Sequence, residues 1–303
     1  MSETIGITSF APGEGETEYK LHRRFDRLGR LYGDEAVKRL MSSKVVIFGV
    51  GGVGSFTAEA LARSAIGHIT QVDFDEVCVT NTNRQMQAMR GNIGKPKTDV
   101  LKTRLQDINP QAKIASVQAF YKAEDSAELL RSPWGGEYDF VVDAIDNITA
   151  KCHLLATCKE RGIPVISSMG AAGKTDPTAI RIADIGATES CRLAKDVRSI
   201  LRKKYGFPQK GAFGIPSVFS KEARKWPRQL SYDKGEGFRC VCPHRSPEHG
   251  CDSRALIDGT SVFVTGAFGL AAASVVVNRL TEDLTDSEPA AVSQHGTIAK
   301  DQK

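Results

Sequence analysis

The stretch KVVIFGVGGVGS, residues 44–55, decides the fold, because an apolar β-branched run passes directly into a glycine-rich turn. Residues 55–65, which follow, place their apolar side chains on one face of a helix. The glycines of the turn are Gly49, Gly51, Gly52 and Gly54. A strand, a tight turn and a helix in this order let backbone N–H groups approach a phosphate at the helix N-terminus. The stretch therefore predicts a nucleotide-binding strand–turn–helix unit.

Four further apolar runs repeat this pattern of a short strand separated from the next by helical spacing. They are HITQVDF, KIASVQA, YDFVVDA and IPVISS. Between the first two, residues 97–108 have helical spacing, which stops at Asn109 and Pro110. Strands that alternate with helices are typical of βαβ units around a parallel sheet. We therefore predict a Rossmann-like α/β fold, with a mostly parallel twisted sheet, helices on both faces and a C-terminal elaboration.

The pattern weakens after about residue 173. Residues 175–185, TDPTAIRIADI, predict a strand, residues 192–205 predict a basic helix, and residues 207–252 predict a loop-rich stretch. The predicted organisation is a disordered leader over 1–20, a single nucleotide-binding domain over 21–280 with its elaboration from about 185, and a disordered tail over 281–303.

The composition narrows the class of protein. The chain has 303 residues, of which 41% are hydrophobic and 25% charged, with a formal net charge of +5. These values exclude a disordered, collagen-like or disulfide-stapled chain, and they permit contact with nucleic acid without requiring it. Seven cysteines without a regular framework indicate reduced thiols and a cytoplasmic protein. The apolar residues 262–277 are fewer than the ~20 of a spanning helix, so we expect a buried helix there, with membrane association as the alternative.

Charged side chains follow the ends of the predicted strands. Asp73 ends the second strand, where a carboxylate accepts hydrogen bonds from ribose hydroxyls, as in an NAD site. Arg84 and Lys97 come next, and an NAD site has no need of this pair of cations. A triphosphate does, because cations neutralise the charge that develops on phosphorus and on leaving pyrophosphate. Asp146, after the fourth strand, supplies a carboxylate suited to Mg²⁺.

Five motifs, GVGGVGS, DFDEVCVTNTNRQ, GKPK, INP and DAIDN, resemble the E1-like adenylating superfamily, which includes the ThiF and MoeB proteins and the ubiquitin-activating enzymes. In that superfamily a carboxylate attacks the α-phosphate of ATP, which releases pyrophosphate and leaves an acyl-adenylate. The resemblance implies that Arg84, Lys97 and Asp146 are catalytic, with Asp146 as the Mg²⁺ ligand. It also implies that Arg27 reaches the ATP of a neighbouring protomer, and hence a homodimer. The implied ATP contacts are Gly49, Gly51, Gly52, Gly54, Asp73, Asp75, Asn81, Arg84, Lys97 and Arg27.

Within this superfamily the chain is similar to the branch of tRNA threonylcarbamoyladenosine dehydratases. The shared motifs are RLYGDEAV, GVGGVGSFTAEALARSAIG, VCVTNTNRQ, GAAGKTDPT and VFSKE. Members of that branch use ATP to activate the side-chain carboxylate of threonylcarbamoyladenosine next to the tRNA anticodon, and the side chain then closes on itself with loss of AMP. The resemblance thus implies an enzyme of tRNA modification, with tRNA as its partner.

Two alternatives within the superfamily stay open. The first is adenylation of the C-terminus of a ubiquitin-like sulfur carrier, although many proteins with that role carry paired CxxC zinc motifs and this chain has no CxxC. The second is a non-catalytic scaffold for a sulfur-transfer partner such as a cysteine desulfurase. A scaffold has no use for Arg84, Lys97 and Asp146.

Two other features carry further hypotheses. Cys240, Cys242 and Cys251, with two nearby histidines, offer ligands for a zinc site, and the alternative is a polar surface loop. Trp226 lies in a basic stretch, where it either stacks on a base of RNA or packs against the protein. The basic residues that offer a surface to RNA are Arg192, Lys195, Arg198, Arg202, Lys203, Lys204, Lys221, Arg224, Lys225 and Arg228.

Overall fold

A computed structural model describes residues 23–231, 241 and 257–284, and a seven-stranded sheet forms the centre of this part of the chain. The strand order is β3-β2-β1-β4-β5-β7-β6, and every neighbouring pair is parallel except β6 with β7. The strands are β1 (Lys44–Phe48), β2 (His68–Val72), β3 (Lys113–Val117), β4 (Phe140–Asp143), β5 (Val165–Ser168), β6 (Ile180–Asp184) and β7 (Pro216–Ser220). The predicted mostly parallel α/β fold is confirmed.

Helices cover both faces of the sheet. Along β1, Val45 and Ile47 point into one hydrophobic core and Val46 and Phe48 into the other, because side chains of a strand alternate between faces. The helices are α1 (Asp26–Tyr32), α2 (Asp34–Ser42), α3 (Gly54–Arg63), α4 (Lys97–Ile108), α5 (Ser126–Leu129), α6 (Ile148–Arg161), α7 (Arg192–Tyr205) and α8 (Val262–Thr281). The first core contains α3, α4 and α8, and the second contains α6 and α7.

The apolar C-terminal segment is helix α8, as predicted. Its small residues let it pack closely on α3, where the hydroxyl of Thr57 donates a hydrogen bond of 3.1 Å to the carbonyl of Gly269. Val264, Phe268 and Val276 are fully buried in the core below. By length and a mean hydropathy of 1.5, α8 also meets the criterion for a membrane span, but half of that stretch is buried against the protein.

Strand β7 was not predicted, because the sequence of this region is typical of a loop. It lies inside the sheet between β5 and β6, and Ser217 and Val218 pair with Ser167 and Ser168 of β5. The region after residue 185 therefore contributes a central strand to the sheet as well as the covering helices. The predicted leader over 1–20 lies outside the described residues, and so does the predicted tail beyond residue 284.

The parallel strands all end at one edge of the sheet, which we call the carboxyl edge. The strand order reverses at β1, whose two neighbours are β2 and β4. Crevices that bind ligands in open α/β sheets lie outside the carboxyl ends of the strands at such a reversal. The loops that leave this edge include residues 49–53, 73–78, 144–147, 169–176 and 221–226.

Candidate active site

The glycine-rich turn is packed so tightly that it excludes side chains. A Cβ atom on Gly54 would lie 1.8 Å from the carbonyl oxygen of Gly49, and one on Gly49 would lie 2.7 Å from the carbonyl oxygen of Ala144. The turn thus lies directly against the loop after β4, and α3 begins at Gly54. The backbone N–H groups at the start of α3 suit a phosphate.

Asp73, directly after β2, accepts a hydrogen bond from the glycine turn. Its Oδ2 accepts a hydrogen bond of 2.7 Å from the backbone N–H of Val50, and its Oδ1 accepts one of 2.9 Å from that of Asp75. Burial raises the pKa of Asp73, and the charge of Lys97 offsets this only in part. The carboxylate is therefore held in a fixed position beside the turn.

Lys97 is a buried cation at the start of α4. Its Nζ lies 2.7 Å from Oδ2 of Asp75, and its side chain is 5% exposed. Burial by itself lowers the pKa of Lys97, but the charges of Asp73 and Asp75 and the hydrogen bond to Asp75 outweigh it, so that the pKa lies above its ordinary value. The charge of Asp146 acts in the same direction, which places this exposed carboxylate near Lys97. The surrounding carboxylates thus favour the charged form of this lysine.

Asn81 and Arg84 lie in a turn that reaches over the glycine loop. The Asn81 Oδ1 accepts a hydrogen bond of 3.1 Å from the backbone N–H of Cys78, which closes the 3-10 turn at Val79–Asn81. Nη1 of Arg84 donates to the carbonyl of Thr80 at 2.8 Å. The Cγ atom of Arg84 is 3.4 Å from the position that a Cβ on Gly52 would occupy. A second cation therefore stands beside the turn.

Of the predicted ATP contacts, all of which lie among the described residues, Arg27 is the one that the fold does not bring to the carboxyl edge. Its helix, α1, is tied to the end of α4 by Arg24, which donates to the carbonyl of Ile108, and to α8 by Tyr32, which donates to Asn278. Asn278 is about 20 Å along α8 from Thr265, the residue of α8 that contacts Gly52. Arg27 is exposed and lies toward the opposite edge of the sheet.

A sequence model of the ThiF family matches residues 25–297. The chain belongs to the ThiF family. It is 39% identical to a tRNA threonylcarbamoyladenosine dehydratase of Haemophilus influenzae over 265 residues, which cover 85% of this chain and 93% of that protein. The fold is similar to the crystal structure of the tRNA N6-threonylcarbamoyladenosine dehydratase of E. coli in complex with ATP, with a TM-score of 0.73. The two sequences are 34% identical, and the match covers 86% of this chain and 95% of that one. The molybdopterin-synthase adenylyltransferase of E. coli is 34% identical over 135 residues, 45% of this chain and 51% of that protein. The predicted family is confirmed.

Two features of this ThiF-family site were not found from the sequence. The first is Lys151, whose Nζ lies 2.6 Å from Oδ2 of Asp143 with both side chains fully buried. The other oxygen of Asp143 accepts a hydrogen bond of 3.1 Å from the backbone N–H of Ile145, next to Asp146. Ser167 of β5 also donates to Asp143. The network fixes the start of the loop that carries Asp146.

The second is Glu222, which follows β7 and holds the loop after β5. It accepts hydrogen bonds of 2.9 Å and 2.8 Å from the backbone N–H groups of Thr175 and Asp176. These backbone hydrogen bonds are the largest cause of a lowered pKa of Glu222, at about 2. The motifs GAAGKTDPT and VFSKE thus meet at the carboxyl edge, although they are more than forty residues apart.

The predicted zinc ligands Cys240, Cys242 and Cys251 lie outside the described residues. Within the ranges 23–231 and 257–284, no group of three or more His, Cys, Asp and Glu residues could hold a metal ion. The four cysteines of these ranges, Cys78, Cys152, Cys158 and Cys191, are buried and form no disulfide bond with one another.

Proposed function

We propose that this ThiF-family chain is an ATP-dependent tRNA threonylcarbamoyladenosine dehydratase. The observation that carries the proposal is the extent of similarity: the match spans 93% of the dehydratase of Haemophilus influenzae, but only 51% of the molybdopterin-synthase adenylyltransferase of E. coli. The assembled pair of cations, Arg84 and Lys97, agrees with a reaction at a triphosphate.

In the proposed site, ATP lies over the glycine turn with its phosphates against Gly49, Gly51, Gly52 and Gly54 and its ribose on Asp73. These residues fit ATP, because the glycine turn has no side chains where the phosphates approach. Arg84 and Lys97 lie beside the same turn. Asp75 contributes by holding the Nζ of Lys97, and Asn81 shapes the turn that carries Arg84. Asp146 supplies a hard oxygen for the Mg²⁺ that accompanies ATP.

Two successive displacements complete the proposed reaction. A carboxylate oxygen of the threonyl side chain attacks the α-phosphorus, and the bond to the β-phosphate breaks with release of pyrophosphate. Arg84 and Lys97 stabilise the negative charge that develops. An atom of the carbamoyl group on the same side chain then attacks the activated carbonyl carbon, the carbamoyl group loses one proton, and AMP leaves. The nucleophile is tethered to its target, so proximity replaces a nucleophile supplied by the enzyme.

We propose that the enzyme is a homodimer in which Arg27 serves the neighbouring protomer's ATP. Two observations support this arrangement. Arg27 lies far from the glycine turn of its own chain, and apolar side chains near the carboxyl edge are exposed, with Val79 at 56%, Met89 at 50% and Phe263 at 54%. A second copy of the chain covers such side chains and completes the site.

The proposed tRNA surface runs along α7 and the segment after β7. The N-terminal end of α7 lies at the carboxyl edge, where Sγ of Cys191 is 3.4 Å from the Cβ position of Gly170. Among the described residues, Lys195, Lys203, Lys204 and Arg228 form no ion pair. Unpaired cations of this kind neutralise RNA phosphates without reading sequence.

Three further proposals follow the same assignment. A substrate in tRNA agrees with a cytoplasmic enzyme, and the half-buried α8 supports this location over membrane association. A zinc site at Cys240, Cys242 and Cys251 stays a prediction, since these cysteines lie outside the described residues. A sulfur-transfer partner such as a cysteine desulfurase also stays a prediction.

Mass spectrometry of nucleosides tests the function. Threonylcarbamoylated tRNA is incubated with the protein, ATP and Mg²⁺, and the expected product is lighter by one water, with one AMP formed per product. An unchanged nucleoside, together with ATP–pyrophosphate exchange that requires a sulfur-carrier protein, would establish the alternative.

A further inference from the structure

Trp226 is unusually exposed for a tryptophan. It lies in the segment after β7 with 68% of its surface accessible, although tryptophans of folded proteins are on average highly buried. The guanidinium of Arg224 lies over its ring, with 4.4 Å between Cζ and the ring centroid. The ring therefore rests on a cation while most of its surface faces solvent.

This arrangement is fixed by contacts to two other segments. Asp258 accepts two hydrogen bonds from Arg224, one of them 3.0 Å from Nε, with both side chains 28% exposed. The backbone N–H of Lys225 donates to the carbonyl of Gly173 at 2.7 Å. An Arg that is held by an ion pair keeps the ring in place, so that a ligand stacking on the ring need not order it first.

The ring is carried by the same loops that border the proposed ATP site. The backbone N–H of Gly173 donates to the carbonyl of Gly259 at 2.8 Å, and the hydroxyl of Ser261 donates to the carbonyl of Lys174 at 3.2 Å. Ser261 precedes α8, whose Thr265 contacts the glycine turn at Gly52. Trp226 thus belongs to the carboxyl edge.

The charges around Trp226 select the kind of ligand. Lys225 pairs with Glu222 and Lys221 with Glu189, which leaves Arg228 as a cation without an ion pair among the described residues. The unpaired lysine of the first turn of α7, Lys195, lies toward the same edge. An aromatic ring backed by Arg and bordered by cations is the combination that binds unpaired bases of RNA.

We propose that Trp226, backed by Arg224, is a stacking platform for an unpaired base of the tRNA anticodon loop. The inference rests on the proposed function, since it is the anticodon loop that presents splayed bases beside the modified adenosine. Phosphates next to the stacked base contact Arg228, and the platform holds the loop while the modified side chain reaches the ATP.

The chain has two tryptophans, so Trp134→Phe leaves Trp226 as a single fluorescent reporter. Trp134 stacks edge-on against His68, at the start of β2 and thus at the opposite edge of the sheet, which makes this variant the matched control. Titration with the anticodon stem-loop RNA is expected to quench the remaining fluorescence to saturation. Trp226→Ala is expected to weaken RNA binding about tenfold, and Trp226→Phe much less, because phenylalanine keeps a stacking face. ATP binding stays unchanged in every variant.

Each outcome of this experiment has one meaning. In one outcome the protein shows dehydratase activity, while RNA does not quench the fluorescence of Trp226 and Trp226→Ala binds RNA as tightly as the unmodified protein. This result overturns the platform and leaves the proposed function intact. If the fluorescence of Trp226 falls with rising protein concentration in the absence of RNA, the ring contacts a second copy of the chain. This result overturns the proposal. If the unmodified protein neither binds nor dehydrates the tRNA, the proposed function fails and the platform fails with it.

Discussion

Nζ of Lys151 and Oδ2 of Asp143 lie 2.6 Å apart in a place that water does not reach, directly below the loop that carries Asp146. The lysine also donates to the carbonyl of Ser168 at 3.0 Å, so that α6, β4 and β5 meet at one buried pair of charges. Such a pair is costly to bury and costly to break, because either partner alone is an uncompensated charge. Its position indicates that it fixes the Asp146 loop against the glycine turn.

Lys151→Met is therefore expected to lower the free energy of unfolding by about 3–5 kcal/mol. The measurement is urea denaturation of the variant beside Arg161→Ala, which breaks the more exposed pair of Arg161 with Glu137 and costs at most about 1 kcal/mol. The double variant Asp143→Leu with Lys151→Met regains part of the loss, since no charge stays buried. Equal stability of Lys151→Met and Arg161→Ala would show that the buried pair has no structural role.

The pair of Lys151 and Asp143 also shows which features of the fold could be predicted from the sequence. Helix α4 was predicted at both of its bounds, because local signals end it at Asn109. Lys151 was missed because a lysine in a helix normally faces solvent, and only the packing of β4 and β5 makes it a buried partner. Strand β7 has five residues and two serines, so its place in the sheet depends on neighbours distant in sequence. Features set by neighbouring residues in the sequence, such as the end of α4, could thus be predicted. The burial of Lys151 and the position of β7 depend on contacts between distant segments and could not.

Arg84→Ala is expected to reduce kcat/KM for adenylation by about a hundredfold to a thousandfold, the range found when a group that stabilises transition-state charge is removed. ATP–pyrophosphate exchange in the presence of substrate tRNA measures the effect. Lys97→Ala is expected to behave similarly, with some loss of stability because Asp75 loses its partner. Lys95→Ala is the matched control, since Lys95 is exposed in the same GKPK motif. Full activity of Arg84→Ala would remove it from the proposed phosphate site.

The anchor made by Glu222 is expected to depend on pH. Backbone hydrogen bonds from Asp176 and Thr175 lower its pKa from 4.5 to about 2, so the carboxylate is favoured more in the folded state than in the unfolded chain. Its contribution to stability is therefore fully present above pH 4.5 and is lost as the pH falls toward 2. Thermal unfolding of the unmodified protein and of Glu222→Gln, measured across this window, checks it. The difference between the two proteins should shrink as the pH falls, and a constant difference would contradict the assignment.

The basic face of α7 gives a prediction about salt. Replacing Lys203 and Lys204 by Ala is expected to weaken tRNA binding and to flatten the dependence of log Kd on log salt, by about 0.7–0.9 for each phosphate that the protein no longer neutralises. Binding assays between low and moderate salt measure both quantities. Lys38→Ala with Lys113→Ala removes the same charge from another part of the surface. Equal effects of the two pairs would mean that net charge, and not this helix, attracts the RNA.

Arg27 and Arg84 offer a test of whether the site is shared between protomers. Because Arg27 is held toward the edge opposite its own glycine turn, we expect Arg27→Ala to be as inactive as Arg84→Ala, yet the two variants complement each other. In a mixed dimer one site lacks both arginines, while the other combines Arg84 of one chain with Arg27 of its partner and is intact. Random exchange of subunits in a closed dimer then restores about a quarter of the activity. Activity assays after mixing, with exchange checked by a tag on one variant, measure this recovery. If verified mixed dimers stay inactive, Arg27 serves its own chain or none, and the shared site is wrong.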